Sequence, residues 1–234
     1  MVFAIILLVL GGISLALFLC EKVRKYSLKA VFIKAFTSLL FISLAAYCCF
    51  VKGFTVMGVC FIIAMVLGLL GDVFLDLKYV YRNDDKPYTY AGFVTFALGH
   101  VCYITGLYIQ YYIQGHVLHI IIPAILAIIA GIANVLLGKL LKQDYKDMKV
   151  IVGVYTSLLF VMLASAFSLW MLNGFKTATL LMVFIGGVLF AISDLILAGT
   201  YFAPNRERPI DLISNSVTYY AAQFVIAFSL FFII

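Results

Sequence analysis

The sequence predicts an all-α fold, a polytopic transmembrane bundle of eight helices. Of its 234 residues, 66% are hydrophobic and 11% are charged, whereas soluble domains average about half and about a quarter. The mean hydropathy is +1.18, so the apolar side chains exceed what one globular core could bury. The bilayer must therefore act as a second interior, which excludes a water-soluble fold.

Eight apolar runs are each long enough to cross the hydrocarbon layer, which takes roughly 20 helical residues. The predicted spans are residues 1–20, 30–50, 53–75, 89–113, 117–138, 149–172, 177–199 and 210–234. A β-barrel is excluded because its strands alternate polar and apolar residues, whereas residues 117–137 are apolar on every face. No charge-rich or Ser/Gly-rich segment separates the runs, so we expect a single membrane domain over residues 1–234.

Basic residues are distributed unevenly over the predicted loops. The even-numbered loops carry Lys52 and Lys176, and the odd-numbered loops carry thirteen basic residues. These thirteen are Lys22, Arg24, Lys25, Lys29, Lys78, Arg82, Lys86, Lys139, Lys142, Lys146, Lys149, Arg206 and Arg208. By the positive-inside rule the odd loops are cytosolic and both termini lie on the non-cytosolic side. The net charge of +6 then reflects topology and anionic lipid, and no nucleic-acid partner is expected.

The cysteines and the outer histidines lack a metal-binding pattern. All five cysteines fall within apolar spans and none is part of a C-x-x-C pair, which is typical of helix-packing residues. His116 and His119 are three residues apart near an outer loop, with no acidic or thiol neighbour in the sequence. Interfacial histidines are therefore favoured over a metal site.

Three charged residues lie well inside the predicted spans: Lys34, Asp72 and Asp194. Each costs about 2.5–3.5 kcal/mol at a helix centre on insertion scales, so some interaction must offset that cost. A purely structural role, through an ion pair or a snorkelling head group, is the alternative to a functional role. The structural role is the preferred interpretation for Asp76 and Asp211 at span ends. The topology places the three inner charges at one depth, in the cytosolic half of the membrane.

Each buried charge of helices three and seven shares a helical face with small or aromatic residues. The predicted inner faces are Gly68, Gly71, Asp72, Leu75 and Asp76 in helix three, Gly92, Phe96, Gly99, His100, Tyr103 and Gly106 in helix four, Gly186, Gly187, Phe190, Ser193 and Asp194 in helix seven, and Asn215, Ser216, Tyr219 and Gln223 in helix eight. Because small residues let membrane helices approach closely, we expect these faces to turn inward. Their polar groups should then converge on an interior cavity.

Two carboxyl groups in such a cavity can act as an acid and a base. A carboxyl group among apolar side chains keeps its proton, whereas one beside a lysine stays ionised. This combination suits acid-catalysed opening of an ether or acetal-like bond through an oxocarbenium ion, as in glycoside cleavage. A proton-coupled lipid or small-solute transporter could use the same groups, and a membrane scaffold with paired charges is a third alternative. The residues alone leave these alternatives open.

Five short motifs in helices three to eight form a recognisable set. They are Gly71-Asp72-Val-Phe-Leu, Gly92-Phe-x-x-Phe96-x-x-Gly99-His100-x-x-Tyr103, Val154-Tyr155, Phe190-Ala-Ile-Ser193-Asp194 and Tyr219-Tyr220-Ala-Ala-Gln223. In this order and spacing they resemble the YhhN-like lysoplasmalogenases, over about four fifths of the chain. The resemblance implies an eight-helix enzyme without a cofactor, in the endoplasmic reticulum membrane if eukaryotic and the inner membrane if bacterial. It also implies hydrolysis of the vinyl ether bond of lysoplasmalogens to a fatty aldehyde and glycerophosphocholine or glycerophosphoethanolamine.

The resemblance also implies roles for the polar residues. Asp72 and Asp194 are the expected catalytic carboxylates, with the order of proton donation open, and Lys34 would keep one carboxylate ionised or contact the phosphate. The other substrate-binding candidates are His100, Tyr103, Tyr155, Ser193, Tyr219, Tyr220 and Gln223. Lys34-Ala35 departs from the Lys-Pro that the family often has. Expected partners are a lysophospholipid substrate and membrane lipid, and a homodimer is compatible with the sequence.

Overall fold

Eight α-helices make up most of the chain. The computed structural model describes residues 1–24, 27–204 and 208–233, and within these ranges it contains no strand. The helices are α1 Val2–Arg24, α2 Leu28–Lys52, α3 Val56–Val80, α4 Asp85–Tyr111, α5 Leu118–Leu137, α6 Lys149–Leu172, α7 Ala178–Phe202 and α8 Pro209–Ser229. The predicted all-α fold of eight helices is confirmed.

Seven helices, α1 to α7, are long and apolar enough to cross a membrane within the described ranges. This fits an integral multi-pass membrane protein. The eighth predicted span differs, because α8 carries Asn215, Ser216, Tyr219 and Gln223, which lower its mean hydropathy. Its polar residues lie against other helices, since Ser216, Tyr219 and Gln223 are buried. Packing inside the bundle, and not contact with lipid, therefore accounts for the composition of α8.

The even-numbered loops are tight turns that contain glycine. Gly53 follows α2 with φ of 93° and Gly174 follows α6 with φ of 66°. Both values lie in the left-handed region that residues with a Cβ adopt at a cost. After the first of these turns the Thr55 side chain accepts a hydrogen bond from the Gly58 backbone N–H at 3.1 Å and caps α3. Successive helices consequently form antiparallel hairpins.

Six helices form a closed ring. In order around the ring, α2, α3, α4, α6, α7 and α8 each pack against the next, and α8 returns to α2. The other two helices pack outside it, α1 against α2 and α8 and α5 against α6. This explains why α1 and α5 are the least buried of the seven candidate spans. The ring brings the predicted inner faces of α3, α4, α7 and α8 toward one interior.

The closest approach within the ring depends on glycine. A Cβ on Gly92 of α4 would lie 2.4 Å from Leu75 Cδ2, and a Cβ on Gly71 of α3 would lie 2.6 Å from the Phe96 ring. A larger residue at either position would have to displace these side chains. At Gly99 of α4 the neighbour is backbone, because a Cβ there would lie 3.1 Å from the Ala64 carbonyl oxygen of α3. Because every predicted inner-face residue of α3 and α4 is buried, the inward orientation of these faces is confirmed.

Several helices continue past the predicted apolar spans at the end of the bundle where the odd-numbered loops lie, which we call the odd-loop end. The assignment of six basic residues to odd-numbered loops is therefore wrong, because the helices α1, α2, α3, α4 and α6 contain Lys22, Arg24, Lys29, Lys78, Lys86 and Lys149. At the other end Lys52, assigned to an even-numbered loop, is the last residue of α2. Helices can outlast an apolar run when their final turns pack on neighbours. Lys25 and Arg206 lie outside the described residues.

Candidate functional site

A buried cluster of four charged residues lies among α1, α2 and α3, toward the odd-loop end. Lys34 Nζ is 3.2 Å from Asp72 Oδ1 and 3.3 Å from Asp76 Oδ1. Lys22 Nζ lies 3.2 Å from the same oxygen of Asp76. All four residues are buried, and two positive charges balance two negative ones. Mutual pairing thus offsets the cost of removing these charges from water.

Asp72 is surrounded by hydrogen-bond donors. Besides Lys34 at Oδ1, its Oδ2 accepts hydrogen bonds from Ser38 Oγ at 2.9 Å and from the Tyr219 hydroxyl at 2.8 Å. Three donors from α2 and α8 therefore converge on one carboxylate of α3. Burial disfavours the charged form of this carboxyl group, but the neighbouring cation and the hydrogen-bond donors favour it. Asp72 is therefore the carboxyl group of the cavity whose surroundings better support a charge.

Asp194 of α7 has a different environment. Its Oδ2 accepts a hydrogen bond from the Tyr155 hydroxyl of α6. Among the described residues, no lysine or arginine forms an ion pair with Asp194. Apolar side chains, including Phe93 and Leu197, line the same space as its carboxyl group. These surroundings disfavour the charged form and suit a carboxyl group that carries a proton.

One interior cavity contains both carboxyl groups. Its volume is about 40 Å³, which is room for roughly three water molecules. Seven of the ten predicted site residues line it: Lys34, Asp72, Tyr155, Ser193, Asp194, Tyr219 and Tyr220. The structure thus brings together two aspartates that are far apart in the sequence and that have unlike surroundings.

Two other predicted site residues lie behind the cavity and do not line it. The Tyr103 hydroxyl donates to Gln223 Oε1 at 3.0 Å, and Gln223 Nε2 donates to the Tyr219 hydroxyl at 3.3 Å. Tyr219 in turn donates to Asp72. A chain of hydrogen bonds from α4 through α8 therefore ends on the Asp72 carboxylate, and Tyr103 and Gln223 fix the orientation of Tyr219.

His100 is the last predicted site residue, and it too lies outside the lining of the cavity. Its side chain is 1% exposed, and its ring centroid lies 5.5 Å from that of Tyr155 and 5.1 Å from that of Phe190. Neither ring nitrogen has a hydrogen-bond partner among the described residues. Since a buried polar group without a partner is destabilising, His100 is a candidate for contact with water or ligand. Its neighbour Tyr155 is the residue that donates to Asp194.

Two members of the charged cluster, Asp76 and Lys22, were not among the predicted site residues. Asp76 was expected to form an ion pair at a span end, which is confirmed, but it lies in the same buried cluster as Asp72. Lys22 was expected in a loop. A signal for it exists, because Lys22 follows Phe18 by four residues and so continues the inner face of α1. Lys22 Nζ indeed lies 5.1 Å from the centroid of the buried Phe18 ring.

Asp211 and the outer histidines, for which the sequence predicts structural roles, lie outside the site. Asp211 pairs with Arg208, whose Nε lies 2.7 Å from its Oδ2, as expected for a charge at a span end. His119 Nδ1 lies 2.9 Å from Ser168 Oγ and joins α5 to α6, while the ring of His116 is 6.0 Å away. Within the described ranges no group of three or more His, Cys, Asp or Glu is placed to hold a metal ion.

A second, larger cavity adjoins the first and is almost entirely apolar. We call it the side chamber. Its volume is about 290 Å³, and α5, α6 and α7 supply nearly all of its lining. The two cavities share five lining residues, which are Phe93, Tyr155, Asp194, Leu197 and Tyr201. Asp194 and Tyr155 therefore stand at the junction between a small polar cavity and a large apolar one.

The family model of the YhhN family matches residues 29–230, which is most of the chain. The chain belongs to the YhhN family. The predicted resemblance is confirmed by this match, and the family is associated with hydrolase activity. No curated protein and no solved structure has significant similarity to the chain. Lys34, Asp72 and Asp194 fall inside the matched residues, whereas Lys22 precedes them.

Proposed function

We propose that the chain is an intramembrane lysoplasmalogenase. It hydrolyses the vinyl ether bond of 1-alkenyl lysophospholipids, lysoplasmenylcholine or lysoplasmenylethanolamine, to a fatty aldehyde and glycerophosphocholine or glycerophosphoethanolamine. The observation that carries the proposal is the presence of two carboxyl groups with opposite surroundings, Asp72 and Asp194, in one cavity. Membership in the YhhN family supports the same chemistry.

The different surroundings of the two carboxyl groups suit them to different steps of the reaction. Asp194, without a paired cation, donates a proton to the β-carbon of the vinyl ether, and the positive charge then resides on the α-carbon and the ether oxygen as an oxocarbenium ion. Ionised Asp72 stabilises that ion across the cavity. Water adds to the α-carbon and loses a proton to the Asp194 carboxylate, which restores the acid, and the hemiacetal collapses to the aldehyde and the free glycerol hydroxyl. The sum is one water consumed for each ether bond broken.

The remaining polar residues position these two groups. Lys34 lies between Asp72 and Asp76, which favours the role of keeping a carboxylate ionised over direct contact with the phosphate. The chain from Tyr103 through Gln223 and Tyr219 holds Asp72 in place. Ser193 is fixed by Asn215, whose Nδ2 donates to Ser193 Oγ at 2.9 Å, so its side chain forms a rigid part of the wall.

We further propose that the odd-loop end faces the cytosol and that both termini lie on the opposite side, because the basic residues concentrate at this end. The site would then open toward the cytosolic leaflet. The membrane is that of the endoplasmic reticulum if the source is eukaryotic and the inner membrane if it is bacterial. Accessibility of single introduced cysteines to an impermeant thiol reagent in intact vesicles tests this orientation.

Aldehyde release tests the proposed reaction. Purified protein in detergent should release fatty aldehyde from a 1-alkenyl lysophospholipid and nothing from its 1-alkyl counterpart, since only the vinyl ether can be protonated on carbon. Asp194→Asn and Asp72→Asn should each lose about 10²–10⁴-fold in kcat. Asp84→Asn, at an exposed position, is the control and should retain full activity. Full activity in both site variants, with folding verified by thermal unfolding, would overturn the proposal.

A proton-coupled transporter of lipids or small solutes is the second candidate function. The linked pairs of Lys22, Asp76, Lys34 and Asp72 resemble the buried networks that relay protons in membrane transporters. This function requires solute movement across sealed vesicles that responds to a pH gradient and gives no covalent product. Aldehyde formation in vesicles without a gradient would decide for hydrolysis.

A further inference from the structure

The side chamber has the shape and lining of a hydrocarbon site. Small residues leave its space open, among them Ala130 and Ala133 of α5 and Ala191 and Ala198 of α7. Leu159 and Phe160 of α6 complete the apolar wall. Only Asp194 and a few other polar residues interrupt it, and Asn134 Nδ2 is already bonded to Thr156 Oγ1 at 3.1 Å. An apolar occupant therefore fits the chamber, and a head group does not.

The chamber opens sideways through the apolar surface of the bundle. Leu137 of α5 and Leu195 of α7 both line it, yet they are 49% and 59% exposed. They flank an opening between α5 and α7, which both pack against α6. Because the surroundings of these helices are membrane, a lipid chain can enter there without crossing water.

A second apolar space lies next to the chamber along α6, with Phe160 between the two. A groove of about 320 Å³ is lined by Leu126, Leu163, Ala164 and Phe184 among others, and Phe160 lines both it and the chamber. From Tyr155 to Phe167 the path along α6 is roughly 18 Å at ~1.5 Å per residue. The path starts at Asp194, passes Phe160, and leads away from the odd-loop end toward the middle of the membrane.

We propose that the side chamber binds the alkenyl chain of the substrate, which enters from the bilayer between α5 and α7, and that Phe160 limits the length of chain accepted. The inference rests on the proposed hydrolase function and extends it to substrate selection. Continuity of the chamber with the cavity at Asp194 identifies the occupant as the chain of the reacting lipid. A chain in the chamber places the adjoining ether bond beside Asp194 and the head group on the polar side.

Selectivity in this arrangement is steric. Lipid tails are as apolar as the chamber wall, so moving a chain from bilayer to protein gains little hydrophobic free energy. A chain that fits without collision aligns its vinyl ether with Asp194, whereas a chain that meets an obstacle holds the reacting atoms out of place. A misplacement of about 1 Å can lower a rate by about 10²-fold.

Substitutions in and beside the chamber test the proposal through the ratio of kcat/KM for a hexadecenyl and an octenyl lysophospholipid. Ala133→Phe fills the chamber and should lower the long-to-short ratio at least tenfold, and the smaller Ala133→Val should lower it less. Phe160→Ala joins the chamber to the groove and should raise the long-to-short ratio several-fold. Ile132→Phe, at the neighbouring position of α5 that is 56% exposed and outside the chamber lining, should leave it unchanged.

Photo-crosslinking tests the same site without turnover. A 1-alkyl lysophospholipid, which cannot be hydrolysed, carries a diazirine at the end of its chain and is irradiated with the wild-type protein in vesicles. We expect labelled peptides from α6 around Leu159 and Phe160, which line the chamber, and competition by unlabelled 1-alkenyl lipid. Labelling confined to other bilayer-facing surfaces would overturn the chain site, as would equal loss of both substrates in Ala133→Phe.

The two proposals can fail separately. If no alkenyl lipid yields aldehyde but the crosslink forms in the chamber, the hydrolase function fails and lipid binding stands. If aldehyde forms and the chain-length ratio and crosslink are both insensitive to the chamber, the hydrolase function stands and the chain site is wrong.

Discussion

The two carboxyl groups of the site share one cavity and a tyrosine partner each, but their other neighbours differ. Asp72 lies in the part of the ring formed by α2, α3 and α8, where a lysine and two hydroxyl groups surround it. Asp194 lies across the cavity on α7, with a tyrosine as its polar partner and the apolar side chamber behind it. One half of the bundle therefore stabilises a charge and the other half disfavours one. Identical side chains acquire different chemistry because of what their neighbours supply.

The largest effect on stability is expected from a substitution in the charged cluster beside Asp72. Lys34→Met leaves Asp72 and Asp76 sharing only the cation of Lys22, and breaking a buried pair in this way costs about 3–5 kcal/mol. We expect a matching loss in the free energy of unfolding in detergent, together with loss of aldehyde release. Lys86→Met, which breaks an exposed pair with Asp147, is the control and should not change unfolding measurably. Equal behaviour of the two variants would show that the cluster is not buried as described.

A smaller effect on stability is expected when Lys22 and Asp76 are replaced together. Asp76→Leu alone leaves Lys22 buried without its nearest anion and should destabilise the protein by several kcal/mol. Lys22→Met combined with Asp76→Leu keeps the pair of Lys34 and Asp72 intact, so unfolding should return close to that of the wild type. Retained aldehyde release in the double variant would assign Asp76 a structural role. Loss of activity in a stable double variant would show instead that Asp76 takes part in the chemistry.

The smallest effects are expected from removing the tyrosine hydroxyl that donates to each carboxyl group. Tyr155→Phe removes the hydrogen bond to Asp194, and a bond to a charged group is worth about 1.5–3 kcal/mol. We expect kcat to fall roughly 10-fold to 100-fold, because the carboxylate left after proton transfer loses its donor. Tyr219→Phe should lower kcat less, since Ser38 and Lys34 still hold Asp72. The reverse order in kcat would contradict the assignment of Asp194 as the proton donor.

Helix periodicity was enough to predict most of the architecture and the centre of the site. The 3.6-residue repeat of small and polar residues identified the buried faces of α3 and α4, where Gly99 lies against the Ala64 backbone. The predicted topology placed Asp72 and Asp194 at the same depth. Periodicity gives the direction in which a side chain points, but not how far it reaches. For this reason His100, Tyr103 and Gln223 were placed in the cavity although they stand behind it.

Two further features needed the folded chain. The burial of Lys22 depends on α1 extending past its apolar run, and the sequence does not reveal where the last turn packs. The side chamber is a void, and its sequence trace is only the presence of small residues such as Ala133 and Ala198 at positions where larger ones would fill it. A small residue in the sequence indicates a binding cavity only when the positions of the neighbouring helices are known.

The most direct test of the central claim, that Asp194 protonates the carbon of a vinyl ether, is hydrolysis in deuterated water. A single turnover of 1-alkenyl lysophospholipid in ²H₂O, with the aldehyde reduced at once to the alcohol, shows where solvent hydrogen enters the chain. The wild type should place one deuterium on the former β-carbon, and Asp194→Asn should form labelled product no faster than the uncatalysed reaction. Labelled product from Asp194→Asn at the wild-type rate, or aldehyde from the wild type without deuterium at that carbon, would contradict the claim.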